Sequence, residues 1–219
     1  MSARRLIALI SQKGGSGKTT VSLQLAAGLG LQGYRVALAD LDPQESASRW
    51  AELAPADAPI ASEVLQLKGS AVDMAEALRP VARRVDVVVM DCPPSIEHPH
   101  TMSALELCDV ALVPVVPSPT DLWATRGIER LILDRQRSRP ALCGVLLPNR
   151  VMRTALAGDV LEVLQDFKLP VLDAALSQRS AYALSAVRGT SVYGLGRAAA
   201  AAQEEVDRLV SAVVRLIEG

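Results

Sequence analysis

The chain alternates short apolar runs with longer stretches of helical periodicity, and this alternation predicts its fold. Val85–Met90 is apolar at every position except Asp86, which is typical of a strand covered by helices on both faces. Repeated strand-and-helix units of this kind favour an α/β fold, a mainly parallel twisted sheet with helices on both faces. The predicted strands are Arg4–Ser11, Arg35–Asp40, Ala61–Gln66, Val85–Met90, Val110–Pro114, Leu142–Pro148 and a short Val171–Asp173.

Helical periodicity fills the intervals between these strands, and the last predicted helix carries an apolar stripe. From Val206 to Ile217 apolar residues recur at i, i+3 and i+4, a stripe about 100° wide that normally faces a core. The polar face holds Glu204 and Glu205 and no aromatic anchor, which favours core packing over a membrane surface. The predicted helices are Gly17–Leu31, Gln44–Leu53, Ala71–Arg83, Thr101–Leu107, Leu122–Arg135, Ala155–Asp166, Ala181–Arg188 and Ala198–Ile217.

Composition narrows the class of protein. With 219 residues the chain is long enough for one sizeable α/β domain, which we place at 1–219. No apolar run approaches the roughly 18–20 residues of a membrane span, and the start of the chain lacks a signal-peptide pattern, so we expect a cytoplasmic protein. The three cysteines have no Cys-x-x-Cys spacing, and Cys108 and Cys143 lie in apolar contexts typical of core residues. A net charge of −1 does not by itself indicate a nucleic-acid partner.

The segment Lys13–Thr20 is a candidate phosphate-binding loop, with the sequence Lys-Gly-Gly-Ser-Gly-Lys-Thr-Thr between an apolar run and a helical stretch. Its glycines allow several backbone N–H groups to point at one anion, and the helix that starts at Gly17 adds the positive end of its dipole. Lys18 can then reach the β- and γ-phosphates, and the Thr19 hydroxyl can ligate Mg²⁺. An ordinary glycine-rich turn is the alternative, but strand, loop, Gly-Lys-Thr and helix in this order favour phosphate binding.

Two acidic segments end predicted strands at the edge where a parallel sheet binds its ligands. Asp40 and Asp42 lie at the end of the second strand, within Asp-Leu-Asp-Pro-Gln. Asp91 ends an apolar strand and precedes Cys-Pro-Pro-Ser, and an aspartate in that position can hold Mg²⁺. A single aspartate at a strand end is often only a turn former. The two segments together with the phosphate loop, in this order, are far less easily accidental.

The phosphate loop departs from the standard pattern in an informative way. Gln12 stands where that pattern has glycine, and Lys13 adds a second lysine five residues before Lys18. This segment closely resembles the deviant Walker A loop of the ParA/MinD family of ATPases, and the segments at Asp42 and Asp91 resemble its Walker A′ and Walker B motifs. The resemblance covers most of the chain and implies a P-loop NTPase of the short ParA type, without an N-terminal helix-turn-helix.

The resemblance implies a role for each matched residue. Lys18 and Lys13 place charge on the β- and γ-phosphates of ATP, with Lys13 crossing a dimer interface to the partner's nucleotide. Asp42 orients the attacking water, while Thr19 and Asp91 bind Mg²⁺. An asparagine before a loop is also ordinary turn chemistry, so the adenine contact implied for Asn149 has an alternative. The implied nucleotide-binding residues are Gly14, Gly15, Ser16, Gly17, Lys18, Thr19, Thr20 and Asn149.

The resemblance also implies partners. An ATP-bound homodimer would bind nonspecific DNA through Arg179 and Arg188 and coat the nucleoid, unless these are two ordinary surface arginines. A cargo adaptor, ParB-like or centromere-binding, would stimulate hydrolysis and so segregate a plasmid, chromosome or protein cargo. The alternatives are a MinD-like membrane-associated ATPase and a metabolic P-loop enzyme, such as a biotin-pathway ligase or a nitrogenase-type reductase. The sequence leaves open whether Trp50 and Trp123 line an adaptor groove or pack in the core.

Overall fold

One parallel sheet organises the described part of the chain. The computed structural model describes residues 5–55, 60–81, 83–152 and 154–218. Its strands are β1 (Arg5–Leu9), β2 (Val36–Asp40), β3 (Glu63–Gln66), β4 (Val87–Asp91), β5 (Val110–Val115), β6 (Cys143–Val151) and β7 (Leu176–Ser177). They lie in the order β3-β2-β4-β1-β5-β6-β7, and each pair of neighbours is parallel. The α/β prediction is therefore confirmed.

Helices connect the strands and cover both faces of the sheet. They are α1 (Lys18–Leu31), α2 (Ser46–Glu52), α3 (Ala71–Val81), α4 (Pro99–Leu107), α5 (Pro119–Ser138), α6 (Ala155–Leu164), α7 (Ser180–Val187) and α8 (Ala200–Glu218). A 3-10 helix, Val192–Ala199, leads into α8 and was not predicted. Gly196, inside this element, has φ 66°, a non-helical conformation that favours glycine and kinks the 3-10 segment before α8 begins.

The strand predicted at Val171–Asp173 is wrong. Val171 makes only an isolated bridge to Leu146, and the seventh strand lies further on, at Leu176–Ser177. Both backbone polar groups of Leu146 are used at this bridge, its N–H by the Pro170 carbonyl at 2.9 Å and its carbonyl by the Leu172 N–H at 2.8 Å. The pairing stops there, so Val171–Asp173 gives one bridge rather than a strand.

Several helix starts also differ from the prediction, for local reasons. Glu45 adopts a left-handed φ of 56°, so α2 begins only at Ser46. In contrast, α4 and α5 begin earlier than predicted, at Pro99 and Pro119. Proline suits the first turn of a helix because an N–H group there has no intrahelical acceptor, so no hydrogen bond is lost when proline lacks it. Ser118 caps α5, since its hydroxyl accepts a hydrogen bond from the Asp121 N–H at 3.2 Å.

Each face of the sheet packs against its own helical layer. Along β1, Ile7 and Leu9 join the core under α1, α2, α7 and α8, whereas Leu6 and Ala8 join the core under α3, α4, α5 and α6. This alternation is the period of two that a strand imposes on its side chains. Because both faces are covered, every residue of β2 and β4 is buried, as a parallel strand between two layers should be.

The amphipathic helix α8 packs against α1, which confirms the prediction of core packing for its apolar stripe. Val206, Leu209 and Val213 are fully buried. The helices approach closely at Gly28, where an added Cβ would lie 2.6 Å from a methyl group of Val210. Glu205 does not lie on the polar face as predicted, because it turns into the protein and is only 3% exposed. Within the described residues, no helix is both long enough and apolar enough to cross a membrane.

The strand order brings the predicted motifs to one edge of the sheet. Leu9, which precedes the phosphate loop, pairs with Asp91 in the register of β1 and β4. Asp40 pairs with the same Asp91 across β2 and β4. Asn149 lies near the carboxyl end of β6, which is two strands from β1 in the same parallel sheet. It therefore reaches the same edge. The carboxyl ends of these strands therefore form the floor of one cleft, where open α/β sheets bind their ligands.

Candidate functional site

The phosphate loop has the backbone that its glycines predict. Gly15 and Gly17 have φ values of 80° and 87°, the left-handed region that favours glycine. Gly17 stands immediately before α1, and a Cβ at this position would lie 2.4 Å from Nδ2 of Asn149. Asn149 is itself buried and donates from Nδ2 to the Ser16 carbonyl at 2.7 Å. The end of β6 therefore holds the loop from outside, and only glycine fits at position 17.

Lys18 lies beneath the loop that it serves. Its side chain is 6% exposed, and Nζ donates to Ser11 Oγ at 2.7 Å and to the Lys13 carbonyl at 3.3 Å. The Ser16 hydroxyl donates to the same Ser11 Oγ at 2.8 Å. Burial lowers the pKa of Lys18, although the nearby carboxylate of Asp91 opposes this shift. The result is a fixed cation at the N-terminal end of α1.

Asp91 and Thr19 form a pair of hard oxygen donors at the edge of the sheet. Thr19 Oγ1 donates to Asp91 Oδ2 at 2.7 Å, and Ser22 Oγ donates to Asp91 Oδ1 at 3.1 Å. Asp91 is buried, and burial raises its pKa to about 7. Mg²⁺ prefers oxygen ligands and usually binds through one or two protein groups together with phosphates and water. A hydroxyl and a carboxylate in direct contact beside a phosphate loop fit that ion.

The two aspartates after β2 have different positions. Asp40 is buried and accepts hydrogen bonds from the Asp42 N–H at 3.1 Å and the Ser48 N–H at 2.8 Å, so it shapes the turn. Burial raises the pKa of Asp40, and these hydrogen bonds limit that shift. Asp42 lines the cleft, and its Oδ1 accepts from the Gln44 N–H at 2.9 Å. Of the two carboxylates, Asp42 is the one that faces the cleft.

Lys13 points away from the cleft of its own chain. Its Nζ donates to the Thr120 carbonyl, on the first turn of α5, at 2.8 Å. There it lines a separate groove of about 620 Å³ that also includes Trp123 and Arg130. The two lysines of the loop are thus divided, with Lys18 under the loop and Lys13 on an outer surface.

The cleft has a volume of about 530 Å³ and extends from the phosphate loop to β7 and α7. Arg150 bridges its two sides, because Nη1 donates to the Gly15 carbonyl at 2.7 Å and Nε donates to Gln178 Oε1 at 2.8 Å. The φ of Arg150 is 54°, a left-handed conformation that is rare for arginine. Arg150 was not predicted as a site residue, since no sequence signal marks a left-handed arginine.

The two arginines predicted to contact DNA differ in their surroundings. Arg179 lines the cleft and donates from Nε and Nη2 to Glu205 Oε1, at 3.0 and 2.8 Å. Arg188 is exposed at the C-terminal end of α7. The role of each arginine in DNA binding stays a prediction, and Arg188 is the one on an open surface. Glu205 was missed as a site residue, although its position between the buried Ala202 and Leu209 of the stripe was a signal.

The structure also settles the positions of the tryptophans and cysteines. Trp50 packs in the core and donates from Nε1 to the Thr190 carbonyl at 3.1 Å. Trp123 is 74% exposed on α5. Cys92 and Cys108 are buried thiols, which confirms the expectation of a core position for Cys108. In the part of the chain that the structure describes, all three cysteines are free and no group of three or more His, Cys, Asp or Glu could hold a metal ion.

Comparison with known proteins identifies the family. The model of the CobQ/CobB/MinD/ParA nucleotide binding domain matches residues 7–192. Maintenance of carboxysome distribution protein A from Halothiobacillus neapolitanus is 32% identical over 209 residues, which cover 95% of each chain. The chain belongs to the ParA/MinD family of ATPases. This ATPase is also 32% identical to the chromosome-partitioning ATPase Soj of Thermus thermophilus, over 71% of its own chain and 74% of that relative.

Solved structures show the same fold at lower identity. The ATP complex of a McdA variant from Cyanothece superposes with a TM-score of 0.75 at 17% identity, over 98% of each chain. The cell division ATPase MinD of Pyrococcus furiosus gives a TM-score of 0.74 at 20% identity, over 97% of this chain and 99% of that one. These similarities confirm a P-loop NTPase fold. The family match and the sequence relatives show that the protein is a positioning ATPase of the ParA/MinD type.

Proposed function

We propose that this ATPase, a single domain spanning 1–219, works as an ATP-bound homodimer in which Lys13 of each protomer serves the cleft of the other. The position of Lys13 is the observation that carries the proposal. Its ammonium group donates a hydrogen bond to the Thr120 carbonyl on an outer surface, whereas Lys18 lies under the phosphate loop of its own cleft. If two copies face each other through this surface, each outer lysine can enter the opposite cleft, as symmetric dimers permit.

Within each cleft the chain's own residues divide the work of hydrolysis. The N–H groups of residues 14–20 and the Lys18 ammonium bind the β- and γ-phosphates of ATP, with Asn149 near the adenine. Asp42, which faces the cleft, orients the attacking water. Thr19 and Asp91 hold Mg²⁺, which when bound neutralises charge on the phosphates. Positioning and electrostatic stabilisation supply most of the rate in phosphoryl transfer, so this set of residues suffices once Lys13 of the other protomer completes it.

The dimer binds nonspecific DNA and is released when a cargo adaptor stimulates hydrolysis. Two copies of the exposed Arg188 would double the cationic surface presented to phosphates, and Arg179 is the second candidate. The similarity to a chromosome-partitioning ATPase supports DNA as the track. The similarity over 95% of both chains to a carboxysome distribution protein favours a protein assembly as the cargo. ATP binding then selects the dimer, and hydrolysis removes that bias. While bound to DNA as a dimer, the protein would be associated with the nucleoid in the cytoplasm.

The experiment is a duplex DNA binding assay with ATP, with ADP and without nucleotide, across a salt series. It compares the wild type, Asp42→Ala and Arg188→Glu, with Arg79→Glu as the matched control because Arg79 is exposed on α3, in the opposite helical layer. We expect salt-sensitive binding only with ATP, retained in Asp42→Ala, reduced in Arg188→Glu and unchanged in Arg79→Glu. The Arg188→Glu substitution removes one cation from each protomer, so the salt slope of the dimer should fall by about two if both cations bind phosphates.

Absence of DNA binding with every nucleotide would overturn the DNA part of the proposal. Binding to anionic lipid vesicles in the same nucleotide series would then support the membrane-associated alternative. A requirement for a small carboxylate or amine substrate would support the metabolic alternative instead. Neither result would change the assignment of the cleft as an ATP site, which nucleotide titration tests separately.

A further inference from the structure

A buried carboxylate on the C-terminal helix holds one wall of the cleft. Glu205 of α8 is 3% exposed. Its Oε2 accepts from the Ser177 N–H at 3.1 Å and from Tyr182 Oη at 2.9 Å. Its Oε1 accepts from Ser177 Oγ at 2.6 Å and from both Nε and Nη2 of Arg179, at 3.0 and 2.8 Å. We call Ser177, Arg179 and Tyr182 the far wall, because all three line the cleft at the end away from the phosphate loop.

The far wall begins in β7, where backbone pairing is short. β7 is only two residues long and pairs with β6 across an irregular register, so backbone pairing alone holds it weakly. Glu205 supplies charge-assisted hydrogen bonds to three points of this short segment, and such bonds are stronger than neutral ones. Burial works to raise the pKa of Glu205, but the bonds from Arg179, Ser177 and Tyr182 keep it below its ordinary value. The carboxylate is therefore ionised at neutral pH and neutralises Arg179.

The two ends of the cleft face different parts of a nucleotide. The phosphate loop and Lys18 occupy one end, so the triphosphate lies there. The ribose and base must then extend towards the far wall, because the cleft continues in that direction. A wall held in one conformation binds its ligand more tightly than a mobile wall, since less conformational entropy is lost on binding.

We propose that Glu205 is a positioning residue that fixes the far wall and thereby sets the affinity of this ATPase for the nucleoside part of ATP. The inference rests on the proposed function in one respect, namely that ATP occupies this cleft. Glu205 touches neither the phosphate loop nor Asp42 or Asp91 among its hydrogen-bond partners. Its loss should consequently weaken nucleotide binding without slowing the chemical step.

The test is calorimetric titration of Glu205→Gln with three probes: ADP, a non-hydrolysable ATP analogue and inorganic tripolyphosphate. We expect the affinities for ADP and the ATP analogue to fall together by about five- to twentyfold, while tripolyphosphate affinity stays at the wild-type value. In steady-state hydrolysis KM should rise by a similar factor and kcat should change by less than about twofold. Glu204→Gln is the matched control, because it makes the same change at the exposed neighbouring position.

A general loss of structure would give a different pattern. An equal loss of affinity for all three probes, or a fall in kcat at unchanged KM, would overturn the positioning role. Wild-type affinities in Glu205→Gln would overturn it as well. If that variant does not fold, Tyr182→Phe keeps the ring and removes only the hydroxyl, which donates to Glu205 Oε2 at 2.9 Å and to the Ala202 carbonyl at 3.5 Å. This variant should bind ADP about two- to fivefold more weakly and should bind tripolyphosphate with wild-type affinity. An unchanged ADP affinity would count against the proposal.

The same titrations separate this inference from the proposed function. If the wild type binds neither ADP nor the ATP analogue, the assignment of the cleft fails and the inference about Glu205 fails with it. If the wild type binds both and the Glu205 variant binds them equally well, only the inference fails. Salt-dependent DNA binding is not involved in either comparison, because the titrations contain no DNA.

Discussion

At the scale of single residues, the contact between Gly17 and Asn149 is the tightest constraint on the phosphate loop. The backbone at Gly17 is left-handed, with φ 87°, and an added Cβ would lie 2.4 Å from the Asn149 amide nitrogen. Gly17→Ala should therefore displace Asn149 from the Ser16 carbonyl and distort the loop. We expect loss of measurable ATP binding and a destabilisation of about 1–3 kcal/mol.

Nucleotide titration and urea unfolding of Gly17→Ala check this expectation, with Gly30→Ala as the control. Gly30 lies in the same helix, α1, and a Cβ there meets no atom within 4 Å. Its replacement should leave nucleotide binding intact and stabilise the helix by up to about 1 kcal/mol. Normal ATP affinity in Gly17→Ala would show that the loop tolerates the clash.

Asp91 carries an energetic cost that function explains. Burial raises its pKa to about 7, so the ionised form is disfavoured in the nucleotide-free protein. Each pKa unit corresponds to about 1.4 kcal/mol, and the neutral amide of Asp91→Asn avoids that cost. We expect Asp91→Asn to be more stable by about 1–3 kcal/mol in mildly alkaline buffer without Mg²⁺, yet to hydrolyse almost no ATP.

The stability comparison uses urea unfolding, and the activity comparison uses phosphate release at saturating ATP and Mg²⁺. Asp134→Asn makes the same change at an exposed residue of α5, and its stability should lie within about 0.5 kcal/mol of the wild type. Turnover at the wild-type rate in Asp91→Asn would remove this residue from the site. A less stable variant would mean that the bonds from Thr19 and Ser22 outweigh the cost of burial.

At the scale of elements, the sequence predicted what depends on local periodicity and missed what depends on backbone conformation or distant partners. The central strands and the phosphate loop were predictable because their apolar runs and glycines act locally. The delayed start of α2 depends on a left-handed Glu45, and no residue preference announces it. Glu205 was placed on the polar face because helical spacing alone cannot show that β7 and α7 supply its hydrogen-bond donors. The roles of the individual site residues stay predictions.

The attachment of α8 to β7 and α7 through Glu205 should also give a measurable pH dependence. A carboxyl group with a lower pKa in the folded chain stabilises the fold above its unfolded pKa, and the stabilisation is lost as the pH falls through the folded pKa. The ordinary value for glutamate is 4.5, and the pKa of Glu205 lies below it. The wild type should thus be about 2 kcal/mol more stable than Glu205→Gln at neutral pH, and this advantage should shrink as the pH falls below the ordinary pKa of glutamate and through the lower pKa of Glu205.

Urea unfolding of both proteins at several pH values measures this advantage. Glu204→Gln serves as the control, since an exposed glutamate without these partners should show little pH-dependent difference from the wild type. Stability curves of the wild type and Glu205→Gln that run parallel from neutral to acid pH would contradict the ionised state assigned to Glu205.

At the scale of the whole molecule, the division between Lys18 and Lys13 decides whether one chain can be a complete enzyme. Lys13 lies on the outer surface beside Thr120 and Trp123, and Asp42 lies in the cleft. If each active site combines the cleft of one protomer with Lys13 of the other, turnover per chain should fall steeply when the protein is diluted below the dimer dissociation constant. Complementation between two inactive variants tests the same division more directly.

Lys13→Ala and Asp42→Ala should each be nearly inactive alone, because no site then contains both groups. In an equimolar mixture about half of the dimers are mixed, and one of their two clefts combines an intact Asp42 with Lys13 of the other chain, so about a quarter of wild-type turnover should return. The rate of phosphate release from the mixture measures this recovered turnover. A mixture of Lys18→Ala with Asp42→Ala is the control and should stay inactive, because Lys18 and Asp42 belong to the same cleft and neither can be supplied by the other chain. No recovery with Lys13→Ala would mean that Lys13 swings back into the cleft of its own chain, and the dimer would then not be needed for chemistry.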